Sequence, residues 1–103
     1  MEDTGYNGWT NRETWLVSLW QDNERGSYEW ARDRARELVE DWVENGGRQP
    51  EFILANQMRE EYEEGNALGD GASIWTDLLG TSLSRVNWNE IAYSLCAEVR
   101  ENA

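Results

Sequence analysis

The chain has 103 residues, of which 21 are Asp or Glu and 9 are Arg, and it contains neither Lys nor His, so its formal charge is −12 at pH 7. A chain of this length is expected to form one domain with a single modest core. Without Lys and His there is no imidazole or amine base, which excludes Ser-His-Asp and Cys-His catalysis, a phosphate-loop lysine and a Schiff base. We therefore predict a binding protein and not an enzyme.

The negative charge also restricts the partners. Proteins that bind nucleic acid or an anionic membrane need a basic surface, so we expect this chain to bind neither directly. The same charge favours a basic protein surface, including one that itself grips nucleic acid. The alternative origin of the charge is a halophilic or GC-rich source, in which acidic, Arg-rich housekeeping proteins are ordinary and the acids are dispersed evenly over the surface.

Location and cofactors follow from a few further features. The single cysteine, Cys96, cannot form an internal disulfide, and its position beside an apolar stripe predicts a core residue. No signal peptide and no membrane-spanning apolar run is visible, so we expect a cytoplasmic protein. No calcium-loop motif is present and soft-metal ligands are limited to Cys96, so we expect no metal and no cofactor.

The N-terminal third predicts an arm and two helices. Residues 1–9 are predicted to form an irregular arm, because Gly and Asn interrupt its aromatic residues. Thr10 and Glu13 match a capping box, which predicts a first helix to about residue 22. Ser27 is the predicted N-cap of a second helix, which Gly46 and Gly47 end. Its apolar stripe, at helical spacing, consists of Ala31, Ala35, Leu38, Val39, Trp42 and Val43.

The rest of the chain predicts three more helices. Pro50 starts the third, which Gly65 ends, and residues 66–71 form a flexible loop. A shorter helix from about residue 72 to 83 carries Ile74, Trp75, Leu78 and Leu79. The last begins at Asn87, with Glu90 completing a capping box. We predict one all-α domain over residues 1–103, a compact bundle of four to five short helices with the irregular arm, and a core rich in its seven tryptophans.

Carboxylates follow the second and third helices. The outer side of the second helix carries a row at helical spacing that spans about 16 Å, which approaches the spacing of phosphates along one DNA strand. The row consists of Asp33, Glu37, Glu40 and Glu44, and the third helix adds Glu60, Glu61 and Glu64. These seven acids are the predicted partner-binding residues. The alternative is a solvated helix face, with Arg32, Arg34 and Arg36 interrupting the negative field.

The N-terminal motif is the densest cluster in the sequence. It runs Asn-Gly-Trp-Thr-Asn-Arg-Glu-Thr-Trp from residue 7 to 15. Trp9, Trp15 and the nearby Trp20 are expected to anchor the arm and the first helix in the core. Asn11 and Arg12 have less obvious structural duties, so both join the predicted partner-binding residues.

This motif resembles the Asn-Gly-Trp-Thr-Asn-x-Glu-Thr-Trp opening of a family of short, uncharacterised proteins from phages, plasmids and some haloarchaea. The resemblance covers about the first twenty residues and implies no reaction. It implies a mobile-element context, in which small acidic proteins often inhibit host restriction or CRISPR systems, some of them as DNA mimics.

The sequence thus predicts a non-catalytic acidic protein that inhibits a nucleic-acid-targeting defence complex by binding its basic surface. The first alternative is a structural or regulatory interaction module that uses exposed aromatic residues, including a homodimer. The second alternative is a small carbohydrate-active protein, which requires two carboxylates in a Trp-lined cleft.

Overall fold

The computed structural model describes residues 6–65, 71 and 73–102. These residues form five α-helices and no strand, with one isolated bridge between Tyr6 and Trp9. The helices are α1 (Arg12–Asn23), α2 (Arg25–Asn45), α3 (Pro50–Glu64), α4 (Ile74–Ser84) and α5 (Trp88–Glu101). The predicted all-α bundle of four to five helices is confirmed. None of the helices in these residues has the length and apolar composition that crossing a bilayer requires.

The core lies between α2, α3 and α5, and α3 packs most extensively against α5. Each of the three helices contributes apolar residues at helical spacing. The buried apolar residues of this core are Ala31, Ala35, Leu38, Val39, Leu54, Ala55, Met58, Val86, Trp88, Ile91, Ala92, Leu95 and Cys96. The first four confirm most of the stripe predicted for α2. Trp42 and Val43, its last two members, are exposed.

The predicted core of tryptophans is wrong. Only Trp88 of the seven is buried, where it stacks on Tyr62 with ring centroids 5.4 Å apart. Trp9 and Trp15 are half-buried, whereas Trp20 and Trp75 are among the most exposed large side chains. The interior is instead filled by aliphatic residues, Met and Cys, which fit between closely packed helices without the volume of an indole ring.

Several predicted helix starts also differ. Asn11, not Thr10, caps α1, because its side chain accepts from the Thr14 N–H. Glu24, not Ser27, caps α2 and accepts from the N–H groups of Gly26 and Ser27. Asn87 caps α5 as predicted, and its side chain accepts from the Glu90 N–H. The predicted capping box is not formed, because the Asn87 N–H donates to Thr14 and the Glu90 side chain accepts from the Thr10 N–H.

Helix α4 starts two residues later than predicted. Ser73 is its N-cap and forms a capping box with Thr76, in which each side chain accepts from the other residue's backbone N–H. The predicted flexible loop at residues 66–71 lies outside the described residues, except for residue 71. So do the first five residues of the predicted arm.

Candidate functional site

The four predicted carboxylates of α2 are all exposed on its outer side, opposite the buried stripe. Two of them form ion pairs within the helix: Asp33 with Arg36 at 3.1 Å, and Glu37 with Arg34 at 3.3 Å. Such exposed pairs contribute little stability, but they neutralise half of the row. Glu40 and Glu44 have no ion-pair partner among the described residues, so the uncompensated charge lies in the C-terminal half of α2.

The carboxylates of α3 form a second group. Glu60, Glu61 and Glu64 are exposed near the C-terminal end of the helix, and none of them forms an ion pair within the described part of the chain. Glu61 also lines a depression with Glu24 and Trp30, between the start of α2 and the end of α3. This end of the molecule is therefore strongly negative.

Helices α2 and α3 run antiparallel, which separates the two acidic groups. The side chain of Arg34 donates to Gln57 Oε1 at 2.8 Å, and Trp30 lines the same depression as Glu61. Along α2, Glu44 lies on one side of this link. Along α3, Glu64 lies on the other side, so along the helix axes the two groups are separated by about 14 Å between Glu40 and Glu60 and by about 25 Å between Glu44 and Glu64. The carboxylates thus form two negative ends with a neutralised middle, not one continuous row.

The N-terminal motif starts with a tight turn. Asn7 and Gly8 both have positive φ, 49° and 89°, and the Trp9 N–H donates to the Tyr6 carbonyl at 2.8 Å. A two-residue turn of this kind needs two residues that tolerate the left-handed region, and Asn-Gly is the preferred pair. The turn brings Tyr6 to the ring of Trp15, with centroids 5.1 Å apart. The Asn-Gly pair of the motif thus has a structural explanation.

Asn11 joins the start of α1 to the start of α5. Its Oδ1 accepts from the N–H and the hydroxyl of Thr14, at 2.9 and 2.6 Å, and its Nδ2 donates to the Arg85 carbonyl at 2.7 Å. Thr14 Oγ1 in turn accepts from the Asn87 N–H at 2.9 Å. Asn11 and Thr14 are buried. The prediction that Asn11 meets a partner therefore gives way to a structural role.

Other residues of the motif reinforce the same junction. The Thr10 N–H donates to Glu90 Oε1 at 3.0 Å, and Arg85 pairs with Glu13 at 3.1 Å. Arg12 differs, because its side chain is exposed and makes no ion pair among the described residues. It lines a groove with Glu13 and Leu16. Arg12 thus stays a candidate for contact with a partner.

Three of the four apolar residues that the sequence places on α4 are exposed. Ile74, Trp75 and Leu78 are 67%, 66% and 54% exposed, and no residue of α4 is buried. Only Leu79 of that set is half-buried.

A depression of about 640 Å³ lies where the N-terminal turn meets α5. Trp9 and Tyr93 line it together with Asn87 and Asn89, and among the described residues Glu90 is its one acidic lining residue. Glycoside hydrolysis requires a pair of carboxyl groups across the cleft. This depression therefore lacks the arrangement that the carbohydrate-active alternative requires.

Cys96 is buried in the core, as predicted, and is not positioned as a nucleophile. Burial raises the pKa of its thiol to about 11, so the reactive thiolate is scarce near neutral pH. The described residues contain no cluster of three or more side chains suited to hold a metal ion.

Comparison with known proteins places the chain within a family. No curated protein and no solved structure shows significant similarity to it. The match to a family of unknown function, DUF7249, extends over residues 2–101. Since this match includes the N-terminal motif, all five helices and both acidic groups, the chain belongs to the DUF7249 family.

Proposed function

We propose that this protein is a non-catalytic inhibitor that binds a basic protein surface through the carboxylates of α2 and α3. In its specific form, the proposal is that the basic surface belongs to a nucleic-acid-targeting defence complex and normally holds phosphates. The protein then competes with nucleic acid for that surface.

One observation carries the proposal: five exposed carboxylates, at the C-terminal halves of α2 and α3, make no ion pair within the described residues. They are Glu40, Glu44, Glu60, Glu61 and Glu64. Carboxylates that are not neutralised within their own chain are available to guanidinium and ammonium groups of a partner. The overall charge of −12 adds long-range attraction, which raises the rate of association with a basic surface.

The separation of the two acidic groups indicates which part of a nucleic acid they imitate. A continuous row imitates successive phosphates of one strand, whereas two negative ends about 14 to 25 Å apart imitate two separate segments of backbone. The proposed partner therefore has two basic patches at a similar separation, as in a protein that contacts a duplex on both sides of a groove. The resemblance of the N-terminal motif to proteins of mobile elements supports a defence complex as that partner.

Cleavage of a labelled duplex DNA tests the proposal. The assay uses an RNA-guided nuclease or a restriction endonuclease from the host, with increasing amounts of the inhibitor. We expect the wild-type protein to slow cleavage, and the double variant E40Q/E44Q to need a roughly tenfold higher concentration. Inhibition should also weaken as salt is added, because salt screens exposed charges.

The matched control is E29Q/E101Q, which removes the same number of negative charges from exposed positions outside the two groups. This variant should inhibit like the wild type, and circular dichroism should show the same helix content for all three proteins. A wild-type protein that leaves cleavage unchanged argues against the proposal. Equal inhibition by both double variants does so too, because net charge alone then accounts for the effect.

A further inference from the structure

Helix α4 differs from the rest of the molecule in charge and in burial. Over its 11 residues it carries one charged side chain, Asp77, and it buries none of its residues. Most of its apolar surface faces outward, through Ile74, Trp75 and Leu78. Soluble monomers rarely expose a contiguous apolar surface of this kind without a use for it.

The apolar surface continues onto α1. A groove of about 300 Å³ lies between the first turns of α1 and the end of α4, and is lined by Leu16, Val17, Ser82 and Leu83 among others. Trp20 lies one turn beyond Leu16 on the same side of α1, and it is 68% exposed. On α4, Leu78 lies one turn before Ser82 on the same side. We call Leu16, Trp20, Ile74, Trp75 and Leu78 the α1/α4 apolar surface.

The size of this surface matches a protein interface. A large aromatic side chain covers about 150 to 250 Å², so the exposed parts of Trp20, Trp75, Ile74 and Leu78 amount to roughly 500 Å² of apolar area. Since about 60% of an interface is apolar, this area corresponds to roughly 800 Å² per partner, the standard size of a stable interface.

The charges beside the surface indicate which partner it fits. Arg12 and Glu13 line the groove, and Arg85 pairs with Glu13. Asp77 is the one charged residue of α4, so this part of the molecule is close to neutral. The chain as a whole carries −12, and a strongly basic partner is attracted to the acidic groups of α2 and α3 instead. Two copies of an acidic chain repel each other least where each copy is neutral. The α1/α4 apolar surface is such a region.

We infer that the α1/α4 apolar surface is the interface of a homodimer, in which α4 of one protomer packs against α4 of its partner about a two-fold axis. An interface of this type uses the same patch on both protomers. In it, Trp75 and Leu78 lose their contact with water, and the carboxylates of α2 and α3 stay outside the contact.

Sedimentation equilibrium tests the inference on the full chain. We expect the wild-type protein to sediment at twice its chain mass of 12.0 kDa. The variant L78D should be monomeric, with a dissociation constant raised at least about 100-fold, because the two-fold axis brings two added carboxylates into an apolar contact. Since Leu78 is already half-exposed, the helix content and melting temperature of the dilute protein should stay near those of the wild type.

The matched control is V43D, which adds the same charge at an exposed apolar residue of α2, away from the α1/α4 apolar surface. This variant should remain dimeric. A wild-type chain that is monomeric at roughly 100 µM overturns the inference. A dimer that L78D leaves intact also overturns it, because the contact then lies elsewhere.

Salt separates this inference from the proposed function. Dimerisation of two acidic chains should strengthen as salt screens their repulsion, whereas inhibition through the acidic groups should weaken. L78D should lose the dimer and keep both groups of carboxylates. Each idea therefore fails in a different measurement.

Discussion

Helices α3 and α4 show how little apolar composition alone decides burial. By composition α4 is the most apolar of the five helices, yet it buries none of its residues, whereas the more polar α3 buries Leu54 and Met58 completely. The difference lies in the neighbours. Helix α3 is packed against both α2 and α5, and α4 has only slight contact with α3. An apolar residue is buried only where other helices surround it.

Deleting core volume should give the largest contrast between the two regions. Ile91, which is 1% exposed on α5, packs in the same core as α3. Ile91→Ala leaves a cavity there and should lower the free energy of unfolding by about 2 to 5 kcal/mol. Leu78→Ala on α4 should change it by about 0.5 kcal/mol or less. Urea unfolding of both variants at low protein concentration, where association contributes least, measures the difference.

Equal losses in the free energy of unfolding for Ile91→Ala and Leu78→Ala contradict this difference between the core and α4. In that case α4 is as well packed as the core, and its exposed side chains are covered in solution even in the dilute protein.

Helix caps offer a second, smaller contrast. Asn11 is a buried cap that also donates to the Arg85 carbonyl, so Asn11→Ala removes the cap and leaves buried polar groups without partners. We expect a loss of about 2 to 3 kcal/mol in the free energy of unfolding. Ser73 caps α4 in solvent, and Ser73→Ala should cost about 1 kcal/mol or less. Thermal unfolding of the two variants tests this order, and the reverse order refutes it.

The ion pair between Glu51 and Arg100 should give the smallest change in stability. Its pH dependence tests how α3 is held against α5 in the core. It joins α3 to α5 at 2.6 Å, and the hydrogen bond from Arg100 lowers the pKa of Glu51 in the folded protein below its usual 4.5. Its contribution is therefore complete above the unfolded pKa and is lost as the pH falls through the folded pKa.

We thus expect Glu51→Gln to be less stable than the wild type by about 1 kcal/mol or less at pH 7. The difference should disappear as the pH is lowered past the folded pKa. Unfolding curves from pH 7 down to acid measure it. Glu29→Gln, which breaks the more exposed pair with Arg25 on α2, should show a smaller difference, and a larger one would contradict the ranking.

The sequence predicted the elements of the fold better than their packing. Apolar residues of α2 and α5 repeat at helical spacing, so the buried faces of both helices follow from periodicity. The exposure of Ile74, Trp75 and Leu78 on α4 does not follow from this rule, because periodicity states which residues share a side of a helix and not whether another helix covers that side. The cap of α1 was misassigned because Thr10 stands next to the equally suitable Asn11, which also bonds to the distant Arg85 carbonyl. The cap of α2 was misassigned because Glu24, a residue type outside the preferred N-caps, takes this position through local contacts with Gly26 and Ser27.

The candidate site was predictable in its members but not in its charge distribution. Exposure of the α2 and α3 acids follows from their position opposite the buried stripe. Pairing of Asp33 with Arg36 lay within reach of the sequence, because the residues are three apart on one helix. The sequence did not predict the split into two negative ends, since this split depends on the antiparallel packing of α2 and α3. The role of Asn11 also stayed hidden, because its carbonyl partner is 74 residues away.

That last contact has a consequence for how the protein forms during synthesis. The polar junction of Asn11 and Thr14 needs Arg85 and Asn87, which the ribosome adds 74 and 73 residues after their respective partners. A nascent chain that ends before these residues cannot complete the start of α1. The motif is therefore made well before it reaches its native bonds.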